Sequence, residues 1–275
     1  MCEFCAEHGD GKIWYKNVEN YATELLEDLE RSGFIEQFFH TIIKDGGKNL
    51  SIGEKALKIP LLGRFIQRRA TNKLKKIHFT QTVPKEDASE ILRLANTIVR
   101  IACGCSWEAE KKERRVCIGV SFGPPHWYKD IDTDYFGSPD VGRLESLTTE
   151  EAIHLIERFD AKGLVHNIFT MHTPFIGGIC NCDKKYCLAL RFTNAGFPTV
   201  FRAEYLAHID EEKCDGCRAC VKRCKFDAIN FLPDRGKCFV DYKKCFGCGL
   251  CRVRCEKDAI VLVDRRNTEA KEIWL

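Results

Sequence analysis

From Tyr15 to Ile43, apolar residues return every three to five positions, at Val18, Tyr21, Leu25, Leu29, Phe34, Phe38 and Ile42. That spacing predicts one or two amphipathic helices, with Gly46-Gly47 as the stop. A second helical pattern begins near Pro84 (Ala88, Ile91, Leu92, Ala95, Ile98, Val99) and ends at the glycine of Cys103-Gly104-Cys105. Val116 to Phe122 is a continuous apolar stretch. Thr148-x-x-Glu151 is a capping box, which opens a helix through Ala152, Leu155, Ile156 and Phe159 and closes at Gly163. Leu164 to Phe169 then reads as a strand, and so does Lys237 to Tyr242. The patterning predicts an α+β chain in three parts. Residues 1–82 form a helical N-terminal region, residues 83–206 a Cys-rich α+β domain, and residues 207–275 a small domain with a C-terminal tail.

Composition sharpens this picture. The chain has 275 residues, 44% hydrophobic and 30% charged, with a formal net charge of +3, so it has the means to build a core and is not intrinsically disordered. No apolar run approaches the roughly 18 to 20 residues of a membrane span. The opening Met1-Cys2-Glu3-Phe4-Cys5 lacks the basic-then-apolar pattern of a secretory signal, so the expected location is the cytoplasm. In a reducing compartment, 17 cysteines are expected as metal ligands rather than disulfides.

Eight of them lie in an internal repeat. KCDGCRACVKRCKFDAINFL (213–232) aligns with KCFGCGLCRVRCEKDAIVLV (244–263), each half reading C-x2-C-x2-C-x3-C and running on into Asp-Ala-Ile. Three thiolates two residues apart let a short loop wrap one metal cluster while its backbone N–H groups face the sulfurs; the fourth thiolate is left over. The stretch from about 207 to 264 resembles the bacterial-type two-[4Fe-4S] ferredoxin domain. That resemblance implies a (βαβ)2 fold and crossed ligation, with Cys214, Cys217, Cys220 and Cys255 on one cluster and Cys245, Cys248, Cys251 and Cys224 on the other. A pair of zinc sites is the alternative, although zinc usually takes paired C-x2-C units. Lys225 and Glu256 stand where members of that family usually carry proline. Lys213 to Lys257 holds 12 Lys/Arg against 5 Asp/Glu, a basic rim suited to an acidic partner face, or an ordinary solvated surface.

Nine cysteines remain. Cys103-Gly104-Cys105 and Cys180-Asn181-Cys182 are C-x-C steps beside glycines, able to present two thiolates each to one centre. The pattern from about 83 to 190 resembles a Cys-rich region found upstream of ferredoxin domains in poorly characterised iron-sulfur proteins, which implies a third cluster, and the two C-x-C steps make Cys103, Cys105, Cys180 and Cys182 its best four ligands. Zinc and unliganded buried thiols are the competing readings. Cys117 and Cys187 are alternative ligands, or combine with Cys2 and Cys5 in a fourth site; a frayed tail is the other reading of Cys2 and Cys5. Cys238 is read as a packed thiol.

Lys48 to Lys76 carries nine Lys/Arg and one acid, Glu54. It reads as a solvated helix face or a docking surface for a partner subunit; no helix-turn-helix or zinc finger supports nucleic-acid binding. His126, Trp127, Tyr128, His166 and His172 are candidates for lining a pocket, weighed against ordinary structural roles. The chain has neither G-x-G-x-x-G after a strand nor a P-loop. The expected function is therefore iron-sulfur electron transfer within an anaerobic oxidoreductase, with a redox partner protein. The alternatives are a reductase whose upstream cluster binds substrate, fed by the C-terminal domain, and a redox sensor that binds nucleic acid.

Overall fold

The computed structural model describes residues 14–16, 45–57, 63, 65–69, 72, 80–122, 144–170, 176–197 and 199–274. Most of the N-terminal helical pattern lies outside these residues, as do Cys2, Cys5, Gly123-Pro124-Pro125, His126, Trp127, Tyr128 and His172. From the N-terminal region, Trp14–Lys16 forms a 3-10 turn. It is pinned by the Tyr15 hydroxyl, which donates to buried Asp87 at 2.6 Å, and by Lys16, 2.7 Å from the same carboxylate.

Gly46-Gly47 opens a helix, α1 (Gly46–Leu57), and the stretch it was expected to close lies outside the described residues. A Cβ on Gly46 would lie 2.2 Å from Leu188 Cδ2, so glycine lets this helix approach the chain that follows Cys187. The second helical pattern needs correction. Helix α2 (Lys85–Leu94) ends at Ala95, and Thr97–Ile101 is strand β2. Thr97, Ile98, Val99 and Ile101 are β-branched and pack better on a pleated surface than against a helical turn.

The middle region is built on a sheet of seven strands among the described residues: β1 (Thr80–Thr82), β2, β3 (Cys117–Ser121), β4 (Glu145–Ser146), β5 (Val165–Thr170), β6 (Ile176–Cys182) and β7 (Val200–Phe201). Their order is β4-β2-β3-β6-β5-β1-β7, antiparallel except for the β1–β7 pair. Strand β1 comes from within the stretch assigned by sequence to the N-terminal region. Between the strands lie α3 (Gly104–Glu110), α4 (Thr149–Lys162) and α5 (Leu188–Asn194). The capping box forms as read: Glu151 N–H donates to the Thr148 hydroxyl and Thr148 N–H to the Glu151 carboxylate, and Gly163 ends α4 at φ 83°.

Register assigns the two faces of the sheet. Ile118 pairs with Ile179 and Ile168 with Ile179, and these residues join Ile91, Leu92, Ala152 and Ile156 of α2 and α4 in one core. Their sheet neighbours necessarily face the other way, because side chains alternate along a strand. Cys117 pairs with Cys180, and Cys180 with Asn167, so the opposite face carries the sulfur.

The C-terminal part has β8 (Tyr205–Ile209) paired with β11 (Ile260–Asp264), and β9 (Ile229–Leu232) with β10 (Lys237–Val240); α6 (Ala219–Arg223) and a 3-10 turn at Arg252–Arg254 occupy matching places in the two halves. It docks on the middle region through ion pairs and a helix cap. Arg252 grips both oxygens of Glu86 at 2.9 and 2.8 Å, Lys225 reaches Asp183 at 3.0 Å, and Arg223 donates to the Asp160 and Ala161 carbonyls at the end of α4. No helix among the described residues is long and apolar enough to cross a membrane.

Candidate iron-sulfur sites

The repeat is kept in the backbone down to single residues. Gly216 and Gly247 both take positive φ (75° and 73°), and a Cβ there would meet a carbonyl oxygen, Gly236 O at 2.2 Å or Tyr205 O at 2.0 Å. The matched pairs Arg218/Gly249 and Asp227/Asp258 are also left-handed. Each loop opens on an aspartate whose carbonyl accepts from the first cysteine, Cys214 N–H to Asp210 and Cys245 N–H to Asp241, both at 3.0 Å. The two halves then hold each other. Asp210 N–H donates to Ala259 O at 2.8 Å and Asp241 N–H to Ala228 O at 2.7 Å. The segment after each fourth cysteine is thereby fixed beside the first cysteine of the other half.

The thiols follow this backbone crossing. A cavity of about 140 Å³ is lined by Cys214, Cys217, Cys220 and Cys255 together with Ile209, Ala259 and Ile260. In the other half, the charge of Cys224 acts on Cys245, Cys248 and Cys251. Ala228 N–H donates to Cys224 Sγ and Ala259 N–H to Cys255 Sγ, each at 3.3 Å, while Ala207 N–H reaches Cys245 Sγ at 3.5 Å. Such donors stabilise thiolate and sulfide charge, so these residues fit an iron-sulfur group. When bound, that group supplies one-electron redox chemistry; the chain supplies thiolates, N–H donors and a dry surround. Burial pushes the Cys220 and Cys251 thiols up to about 12, so ionisation there is coupled to metal binding.

Two features of this part escape sequence reasoning. Cys238, 2% exposed, is packed as read from the sequence, but against the thiols of Cys214 and Cys220 on the cavity wall; it lies outside the C-x2-C spacing and is brought there by the β9–β10 hairpin. Arg265, at 0% exposure, donates to the carbonyls of Ala203, Tyr205, Cys245 and Ile273, and Arg202 donates to those of Lys243 and Cys245. Burial lowers the pKa of both guanidiniums, that of Arg265 to about 10. Nothing in the local sequence separates them from the surface arginines nearby.

Upstream, the structure brings together six thiols, not four. Cys103 precedes α3 and Cys105 lies in its first turn; Cys117 opens β3; Cys180 and Cys182 end β6; Cys187 precedes α5. Cys103 accepts hydrogen bonds from Cys105 and Cys117, Cys182 accepts from Cys180 and Cys187, and Cys117 meets Cys180 between them. The two acceptors are lowered by these bonds, Cys182 to about 5, and burial together with the donated bonds raises the others. Cys117 and Cys187 therefore belong to the same site as Cys103, Cys105, Cys180 and Cys182. Tyr186, Ser106 and Asn167 adjoin it. Among the described residues, no three His, Cys, Asp or Glu side chains close on a single-ion position.

The six-thiol site abuts the C-terminal domain. Cys182 and Cys187 share an apolar cluster with Leu190, Val200 and Phe246, flanked by Cys180 and Phe226. Phe226 and Phe246 are stacked with centroids 4.0 Å apart and planes 11° apart. Phe246 follows Cys245, and Phe226 comes two residues after Cys224, so both rings spring from one loop set.

His166 is buried, with Nδ1 2.6 Å from Asn181 Oδ1, on the face away from the thiols, which is a structural role. Gly119-Val120-Ser121-Phe122-Gly123 has the spacing of a nucleophile elbow but not its context. Ser121 is 1% exposed and paired with Thr97 in an antiparallel ladder, whereas an elbow serine stands exposed at the top of its sheet.

Compared with known families, residues 207–230 match the 4Fe-4S binding domain (Fer4). No curated protein matches the chain. The match supports at least one [4Fe-4S] cluster near the C-terminus and an iron-sulfur electron-transfer role in general.

Proposed function

We propose that this chain relays single electrons between two C-terminal [4Fe-4S] clusters and a third iron-sulfur centre on the upstream thiols, as a carrier protein or subunit serving an anaerobic oxidoreductase. The observation that carries this reading is the shared apolar cluster of Cys182, Cys187, Phe246 and Phe226, which packs the upstream thiols against the loops of Cys224 and Cys245. An apolar, short separation is what one-electron exchange requires of a protein, and the stacked rings fix it.

The other half of the repeat supplies the outer end. Cys217 is exposed, and Arg218, Arg254 and Lys257 outnumber Asp215 and Glu256 around the cavity it lines, a mildly basic face suited to an acidic redox partner. Electrons would enter or leave there, with the Cys224/Cys245 loops between that face and the upstream site. Six thiols oversupply a four-iron cluster, so no observation favours an open iron for substrate, and the carrier reading is preferred to the reductase.

Anaerobically purified full-length protein, titrated with a low-potential reductant and followed by EPR, tests this. Two interacting C-terminal signals and a third upstream signal are expected. Iron near zero, or lone zinc ions in the thiol sites, would overturn it.

A further inference from the structure

We propose that all six upstream cysteines, Cys103, Cys105, Cys117, Cys180, Cys182 and Cys187, ligate one iron-sulfur centre larger than a single cubane. The inference rests on the reading above that these thiols hold iron, and adds the nuclearity and the ligand set.

The six thiols form one continuous chain of contacts. Following their contacts, Cys105 meets Cys103, Cys103 meets Cys117, Cys117 meets Cys180 across the β3–β6 register, Cys180 meets Cys182, and Cys182 meets Cys187. Cys187 in turn lies within electrostatic range of Cys105, as Cys182 does of Cys103. Cys103, Cys105, Cys117 and Cys180 lie in one apolar cluster and Cys182 and Cys187 in a second, and Cys180 packs against both, so the two groups are joined through it. A single cubane has four irons and takes four terminal thiolates. It would leave two cysteines touching its own ligands without a role, in a pocket walled by Val99, Ile101, Leu190 and Val200. A core of two joined iron-sulfur halves has positions for six, terminal or bridging, and brings the positive charge that six buried thiolates need.

The surroundings fit an anionic group. Arg114 lies 4.5 Å from the Tyr186 ring centroid, Tyr186 feels the charges of Cys103 and Cys182, and Arg114 Nη1 is buried without a hydrogen-bond partner. An alternative use for two spare thiols is disulfide exchange with a protein substrate. Cys103, Cys117, Cys182 and Cys187, at 5%, 9%, 6% and 4% exposure, are out of such a substrate's reach, and of the six Cys105 and Cys180 alone are partly exposed.

The test uses the full chain, purified anaerobically, with iron and acid-labile sulfide assayed and iron-57 Mössbauer spectra recorded. Beyond the roughly eight irons of two C-terminal cubanes, the unaltered protein should hold more than about four upstream. Each of the six single Cys→Ser variants should lose the same upstream spectral component while keeping the C-terminal iron. Upstream iron of about four, with two of the six variants spectrally unchanged, would overturn the six-ligand centre and leave the relay standing. No upstream iron in the unaltered chain would sink both. The iron count on unaltered protein decides even where a variant fails to fold.

Discussion

At the scale of single residues, the C-terminal domain depends on backbone that only particular side chains allow. Gly247 holds φ 73° with Tyr205 O in the place a Cβ would take. Gly247→Ala combines the left-handed penalty with a collision against backbone, and is expected to cost at least about 2 kcal/mol in chemical unfolding. Arg218, in the matched position to Gly249, tolerates φ 63°, stacking 3.7 Å from the Phe231 centroid. Arg265 is the other critical residue. Arg265→Met leaves the carbonyls of Ala203, Tyr205, Cys245 and Ile273 short of a buried donor, and should lower stability by about 3–5 kcal/mol, with early loss of iron on mild warming. The glycines at 216 and 247 were legible as part of the C-x-G-C repeat. Arg265 was not, because its partners are backbone carbonyls contributed by four separate positions.

At the scale of elements, local signals were read well where they are self-contained. The Thr148 capping box, the Gly163 stop and the following strand all formed, since each is decided within a few residues. Thr148→Ala should cost about 1 kcal/mol in thermal or urea unfolding and leave the visible spectrum of the iron-sulfur centres unchanged. Reading failed where periodicity alone was asked to fix a boundary. Ile98 and Val99 continue a helical spacing on paper, but they belong to a β-branched run that finds partners in β3. Glycine at 46 also has a use that no helix-stop rule shows, a close approach to Leu188.

At the scale of the molecule, the two parts are held together by few polar links and one apolar seam. Asp183, tied to Lys225, would be raised by burial, but the Lys185 N–H and the Lys225 ammonium outweigh this and hold it below the ordinary carboxylate value. A depressed folded value means the link is fully present above the unfolded pKa, near 3.9, and is lost as pH falls through the lower folded one. The Asp183→Asn variant should therefore show weaker docking at neutral pH, by less than about 1 kcal/mol after solvent screening, and the gap to the parent should close in acid. Differential unfolding from pH 7 down to the acid limit of the parent checks this. Removal of iron has a larger effect, because five of the thirteen buried residues of the C-terminal core are cysteines, Cys214, Cys220, Cys238, Cys245 and Cys251, and four of the eight aliphatics are alanines. Hydrogen exchange on chelator-treated protein should show residues 207–264 losing protection while α2, α4 and β5 retain it.

What the sequence determined by itself was the candidate chemistry: cysteines at fixed short steps suit a loop to a metal, and two copies in register give two loops of that pattern, because ligand spacing is a property of adjacent residues. The crossing of the halves is carried by Asp210–Ala259 and Asp241–Ala228 bonds between distant residues. The gathering of Cys117 and Cys187 with the two C-x-C steps, and the Phe226–Phe246 seam, were likewise decided only in three dimensions. Strand register chose which side chains share a face, and that register is set by pairing between segments as distant in the chain as Thr80 and Val200, where no local pattern reaches.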